Sequence, residues 1–384
     1  MKKFKRILAL MLAAVLVFSL AACGSTSDDS ADSSADTSDS STTELTETYK
    51  VGVILYDTSS QWALDIMGCL ESIGDELGIT FETALGGTDP EETIAAVQNF
   101  GAAGYDGIIN LHPGTVMSTL VETCEEYGMY IVTSNDPSSG SDDYADFSTS
   151  EYFAGEVWED EAEVAQEIVQ LMIDAGATKF ALHGFPEGLS TQMDKRIAAA
   201  RELIEATDGC EVVVEGLNYD KSAAAEDIIS QHPEIDAIFS SVETVSTVYQ
   251  SLVNAGLNDT VLLNCYDPNS DVYEALEDGT VNYVITGTCA DTMIACILLY
   301  NAMSGNKMTQ DDGSAASINM SYLVCTSLED YQEVLDHCSA DNPPYTFEEL
   351  SQFITVLNED ASYNDLVEFA EAFSLEDIEE RLGE

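Results

Sequence analysis

The groups with which this 384-residue chain could do chemistry are nine cysteines, four histidines and 71 carboxylates. The histidines are scattered singly and no C-x-x-C pair occurs, so the ligand spacing of a zinc site is missing. No G-x-S-x-G elbow and no H-E-x-x-H helix is present. Lys221-Ser222 in GLNYDKS lacks the glycines of a phosphate loop. Carboxylates are so abundant that no pair of them stands out as catalytic. What remains is non-covalent recognition, by carboxylates that accept hydrogen bonds and by aromatic faces that stack on rings. Trp62 is either such a face or a core residue, since it keeps helical phase with Ile66 and Leu70. A formal charge of −59 repels phosphate backbones and anionic lipid heads. That excludes nucleic acid as a partner and favours a neutral or cationic ligand. No metal, cofactor or catalytic residue is expected.

One thiol stands apart. Cys23 ends an apolar run, residues 7–22, that follows Lys2, Lys3, Lys5 and Arg6. Sixteen uncharged residues would span about 24 Å as a helix, short of a ~30 Å hydrocarbon core. A basic head, a short apolar run and small residues before a cut make a secretory leader over 1–22. Leu20-Ala21-Ala22-Cys23 resembles the lipobox of bacterial lipoproteins, which implies cleavage before Cys23 and a diacylglycerol on its sulfur. Residues 23–48 are then an acidic Ser/Asp tether with nothing to bury. The other eight cysteines lie mostly in apolar runs and read as buried free thiols; Cys325 with Cys338 is the first pair to test for a disulfide.

About 335 residues follow the tether, enough for two lobes. Strand and helix alternate through them. KVGVIL (50–55) is a strand, and the helix after it ends at Gly78. ITFETAL, the buried run in AAGYDGIINL, and MYIVTSND are further strands, with Asp89 capping one of the helices between them. The second half repeats the pattern, with strands in 179–182, 211–215, DAIFSS, TVLLNCYD and NYVITGT, and helices over 191–206, 221–231, 244–255 and 271–278. A long apolar helix, 290–304, comes after the second unit closes. Such alternation builds parallel sheets covered on both faces by helices, and ligands bind beyond the C-terminal strand ends. The fold class is α/β: two doubly wound parallel-sheet lobes.

The order of YKVGVILYDTSSQWALDIMG, AAVQNFGAAGYDGIINLHP, GMYIVTSND, HPEIDAIFSSVETV and LLNCYDPNSDVYEALEDGTVNYVITGT resembles the type I periplasmic-binding fold, in particular sugar-binding receptors of ABC transporters. The resemblance covers residues 49–325. It implies a three-segment hinge and a ligand cleft between lobes built from 49–150 with 288–318 and from 151–287 with 319–325. It also implies contacts one by one. In the loop after the first strand these are Asp57, Ser60 and Trp62. After VTSN they are Asn135 and Asp136, where the family's arginine is absent and ordinary turn chemistry is the alternative. In the second lobe Arg196 falls on the binding arginine, or else makes a surface ion pair with Asp194 or Glu202. Glu243 stands where the family has Asn-Asp, as an acceptor or as a helix cap. Asp267 matches the family's acidic contact, and Gly287 leaves the usual polar position without a side chain.

The implied function is capture of a small solute, a sugar or polyol, by a monomeric lipid-anchored receptor on the outer face of a bacterial membrane, with delivery to an ABC permease. A nucleoside- or amine-binding receptor, or a sensory receptor with a membrane partner, shares the same fold and site. An extracellular enzyme is the rival of a different class. Residues 326–384 read as a helical extension on the C-terminal lobe, with a Thr346-x-x-Glu349 capping box and apolar stripes through Leu350, Phe353, Ile354 and Leu357 and through Tyr363, Leu366, Phe369 and Phe373. A partner-binding face is the alternative for this segment.

Overall fold

The structure, a computed structural model, describes residues 45–86, 90–111 and 116–382. The expectations for the leader 1–22, for Cys23, for the tether up to residue 44 and for Asp89 as a cap lie outside these residues. In chain order the elements are β1 (Tyr49–Leu55), α1 (Gln61–Leu77), β2 (Ile79–Leu85), α2 (Pro90–Ala102), β3 (Gly107–Asn110), α3 (Met117–Tyr127), β4 (Tyr130–Asn135), α4 (Tyr144–Phe147), β5 (Phe153–Glu159) and α5 (Glu161–Asp174). There follow β6 (Lys179–Gly184), α6 (Thr191–Ala206), β7 (Glu211–Leu217), α7 (Lys221–Gln231), β8 (Ala237–Ser240), α8 (Gln250–Ala255), β9 (Leu262–Tyr266), α9 (Val272–Glu277) and β10 (Tyr283–Thr286). The chain closes with α10 (Cys289–Met303), β11 (Ala316–Met320), β12 (Leu323–Cys325), α11 (Leu328–His337), α12 (Phe347–Ser351), α13 (Tyr363–Glu371) and α14 (Leu375–Leu382). None of the described helices is long and apolar enough to cross a membrane.

Two six-stranded sheets result, ordered β11-β5-β4-β3-β1-β2 and β12-β10-β9-β8-β6-β7. Every pairing is parallel except β10 with β12. The local causes are plain in α1. Ser60 caps it by accepting from the Ala63 amide, Ile66, Leu70, Ile73 and Leu77 form its buried face, and Gly78 ends it at φ 66°. All residues of α10 from Cys289 to Ala302 are buried, because the helix lies on β3, β4 and β5 of the first sheet and against α1.

The chain passes between the lobes three times: after β5, after β10 and after β11. The boundary expected at 150/151 therefore moves to the end of β5, which pairs with β4 and β11 in the first sheet. Likewise β11 carries the first lobe to Met320 rather than to 318. The strand signal of β5 is blurred by carboxylates at positions that become buried. Glu156 is fully buried because the amides of Ser138 and Ser139 donate to its Oε2 (2.7 and 2.9 Å) and the Ser317 hydroxyl donates to its Oε1.

The C-terminal extension is also placed differently from the expectation. It docks chiefly on the first lobe. The Asn301 amide of α10 donates to the Phe353 carbonyl (2.8 Å) and its oxygen accepts from the Thr355 amide and hydroxyl (2.9 and 3.0 Å). Tyr363 donates to the Ser317 carbonyl, and the Ala340 amide donates to Asp65 of α1 (3.1 Å). Gly68 lies so close to Ala340 that a Cβ on it would clash at 2.4 Å. Its α11 reaches the second lobe, against α9 and β12, while Phe373 abuts the hinge at Gly287. The expected capping box at Thr346 and Glu349 is formed.

Candidate ligand cleft between the lobes

The C-terminal ends of both sheets face a small cavity of about 20 Å³ lined by Trp62, Asp65, Asp267, Pro268, Thr286, Gly287, Thr288, Cys289 and Cys338. Of the expected contacts, the cavity gathers Trp62 from the first lobe and Asp267 from the second. Trp62 is half-buried and packs on the core as well as lining the cavity, so its helical phase and its exposed ring are compatible. Asp267 follows β9 at φ 47°, an uncommon left-handed conformation for a side chain other than glycine. No hydrogen bond reaches its carboxylate among the described residues. Burial pushes its pKa up to about 6 against the opposing pull of Arg196. It is an acceptor waiting in the wall.

The other expected contacts are engaged elsewhere. Asp57 Oδ1 accepts from the Ser59 and Ser60 amides (2.8 and 2.7 Å); burial raises its pKa, but these amides outweigh it and hold the carboxyl low. Ser60 is the α1 cap. Glu243 Oε1 accepts from the Ser246 amide (2.8 Å), three residues ahead, and from Asn269. It thus caps the helical turn that leads into α8, the alternative open to it in the sequence. Arg196 is not a surface residue and pairs with neither Asp194 nor Glu202. It is 4% exposed, bonded to both oxygens of buried Glu161 (2.5 and 3.1 Å), to the Ser241 carbonyl and to the Tyr322 hydroxyl, and stacked 3.9 Å from the Tyr266 ring. Glu161 and Tyr322 sit at two of the crossings, so this arginine fastens the hinge.

Asn135 and Asp136 do the same at the lips. Asn135, at φ 73°, donates from its backbone and side-chain nitrogens to Asp291 Oδ2 (2.9 and 3.0 Å), and the Ser134 hydroxyl joins them. Its carbonyl accepts from Gln192 at the start of α6. Asp136 accepts from the Thr191 hydroxyl (3.0 Å) and lies 3.6 Å from the Lys195 ammonium. These contacts tie the first lobe to α6 of the second. Asp291 is 1% exposed, and burial pushes its pKa up to about 8. Glu159, buried at the first crossing, is also held high, by burial and then by the Asp291 charge.

Sequence reasoning missed Asp65, Thr286, Thr288, Cys289 and Cys338 as lining residues. Gly287 is in the wall, with the threonines on either side of it. Thr286 and Thr288 were legible as its neighbours; Cys338 was not, because it arrives from the extension. Cys338 does not face Cys325: its sulfur lies 3.5 Å from that of Cys289. All eight described cysteines are free thiols.

A solute-binding protein from Agrobacterium vitis, bound with alpha-D-tagatopyranose, superposes with a TM-score of 0.61 at 15% identity, covering 77% of this chain and 98% of that one. One from Actinobacillus succinogenes with bound D-allose gives 0.62 at 14%, covering 74% and 100%. One from Bacillus halodurans with bound myo-inositol gives 0.60 at 18%, covering 76% and 98%. At these identities the likeness shows the fold, the two-lobed type I periplasmic-binding architecture. No curated protein matches the sequence. The family model described as periplasmic binding protein domain matches residues 51–307, two thirds of the chain, and stops before the extension. The chain belongs to the periplasmic binding protein domain family.

Proposed function

We propose that the chain is an extracytoplasmic substrate-binding lipoprotein. It captures a small polar solute, a sugar or polyol, between its lobes and delivers it as a monomer to an ABC permease, held to the membrane through Cys23. The observation that carries the reading is the cavity wall, where an aromatic face on one lobe meets an unengaged carboxylate on the other. A ring's C–H face suits Trp62 and a hydroxyl donor suits Asp267. Among the described residues no lysine or arginine lines this cavity, and Arg196 is consumed by Glu161. Both facts favour neutral solutes over sugar acids and phosphates. Sugars and a polyol occupy the related structures above, which supports the same ligand class here. The carboxylates Asp65 and Asp267 also support a second reading, an amine or a nucleoside-like base as ligand.

The test is a thermal-shift screen of the purified chain against sugars, polyols, nucleosides and amines, followed by titration of Asp267→Ala and Trp62→Ala with the best binder. Loss of about 1–3 kcal/mol of binding in each variant is expected. Tight binders that are all anions would contradict the charge argument, and unchanged affinity in both variants would remove the cleft assignment.

A further inference from the structure

Three thiols from three separate parts of the chain meet beside the cleft. Cys289 opens α10 directly after the hinge, Cys338 follows α11 in the extension, and Cys69 lies on α1. The Cys289 and Cys338 sulfurs are 3.5 Å apart, Cys289 Sγ also contacts the Cys338 carbonyl (3.9 Å), and Cys69 Sγ donates to the Ser339 carbonyl (3.5 Å). An approach of about 1.5 Å separates this 3.5 Å contact from the length of a disulfide bond. We propose that Cys289 and Cys338 form a disulfide that fastens the C-terminal extension to the second hinge crossing.

The chemistry is thiol–disulfide exchange with a low-molecular-weight disulfide. The Cys289 thiolate attacks one sulfur of the oxidant and expels one thiolate. The Cys338 thiol, losing its proton, then attacks the Cys289 sulfur and expels the second. Two protein thiols are oxidised and one external disulfide is reduced to two thiols. Cys289 is the attacking sulfur: hydrogen bonds from Cys338 and Cys69 hold its pKa well below that of an ordinary thiol, burial opposes them, and the first amides of α10 assist. Cys338 and Cys69 are held high, by the hydrogen bond to Cys289 and by burial, so both stay protonated. Both sulfurs of the proposed bond belong to residues lining the cleft cavity, and refolding exposes them to the oxidant before they are buried. Outside the membrane, where the leader would send the chain, such bonds persist.

The bond would have a structural consequence. The extension already rests on α1 through Asp65, Gly68 and Cys69, and its α11 touches the second lobe. Pinning its N-terminal part at the hinge makes it a strap across both lobes.

The test treats the full chain with oxidised glutathione, both natively and during refolding from the reduced, denatured state, then alkylates and cuts before aspartates. Cys289 falls in Asp278–Ala290, Cys338 in Asp336–Ala340 and Cys69 in Asp65–Gly74, so each carries one cysteine and the pairs are distinguishable by mass. Expected are a loss of two hydrogens (about 2 Da) and a joined Asp278–Ala290/Asp336–Ala340 species. Both should disappear in Cys338→Ser and persist in Cys325→Ser. Slower proteolytic release of the extension from the oxidised chain is the accompanying readout. Eight alkylated thiols downstream of Cys23 after both treatments, or a bond joining Cys69 to Cys289 or Cys325 to Cys338 instead, would overturn the proposal.

Discussion

Replacing Asn301 by alanine tests whether the extension is an integral part of the first lobe. Asn301 is fully buried in α10 and makes three hydrogen bonds to the extension. The alanine leaves the Phe353 carbonyl and the Thr355 amide without partners; the Thr355 hydroxyl sits in a half-buried residue, where water can replace the lost bond. An orphaned buried group costs about 1–3 kcal/mol, and the small cavity adds about 1 kcal/mol. The expected loss is therefore about 3–7 kcal/mol for undocking the extension. Each 1.4 kcal/mol is tenfold, so local opening should become at least about 100-fold more frequent.

Limited proteolysis in the regime where cleavage follows the open population reads this directly, as earlier cutting within 338–382. Thr355→Val removes only the hydroxyl bond and should cost about 1 kcal/mol. In the double variant the two losses should be non-additive, because both act on one contact. If Asn301→Ala changes cutting by less than about twofold, equivalent to less than about 0.5 kcal/mol, the extension is not held by α10 and the docking argument fails.

Two further outcomes follow from the hinge. Arg196→Ala leaves Glu161 buried and unpaired, and should cost about 3–5 kcal/mol of stability in urea unfolding; a variant of unchanged stability that loses only solute affinity would return Arg196 to the ligand. The Glu159/Asp291 site should make stability fall as pH rises. Asp291 keeps its proton up to about 8 in the folded chain, against 3.8 ordinarily, so between these values the folded state holds a proton that the unfolded state has released. The slope is at most about 1.4 kcal/mol per pH unit, and it is absent below the lower value. Asp291→Asn should flatten urea midpoints measured at pH 5, 6.5 and 8; parallel curves for the two proteins would refute the assignment.

The alternation of strands and helices was legible because parallel strands buried on both faces read as unbroken apolar runs, as in GIIN and AIFS. Strand β5 was not, since Glu156 and Glu159 occupy buried positions, and the compensation of Glu156 comes in part from Ser317, far along the chain. The same distance effect governs the site. Asp267 and Trp62 could be placed by their positions after β9 and β1. Nothing in the local sequence says that Arg196 faces Glu161, 35 residues away, or that Cys338 would come to lie beside Cys289. The docking side of the extension was hidden for a related reason. An amphipathic stripe declares that a face will be covered, and it is silent about which lobe covers it.

The hinge also limits what a ligand must do. In the proposed function the solute has to shift the balance between separated and closed lobes, and it can do so only by the difference in its affinity for the two. The direct ties at the lips are few: Asp136 to Thr191 and Lys195, and the Asn135 carbonyl to Gln192. Lys195 is 44% exposed, so its ion pair contributes about 0–1 kcal/mol and fades with salt. Neutral hydrogen bonds at the lips add about 1 kcal/mol each. Closure by the protein alone is therefore shallow, and a ligand that touches only Trp62 or only Asp267 gains nothing from it. A solute with an apolar ring face on one side and a hydroxyl donor on the other bridges the two walls, and it alone converts binding energy into closure.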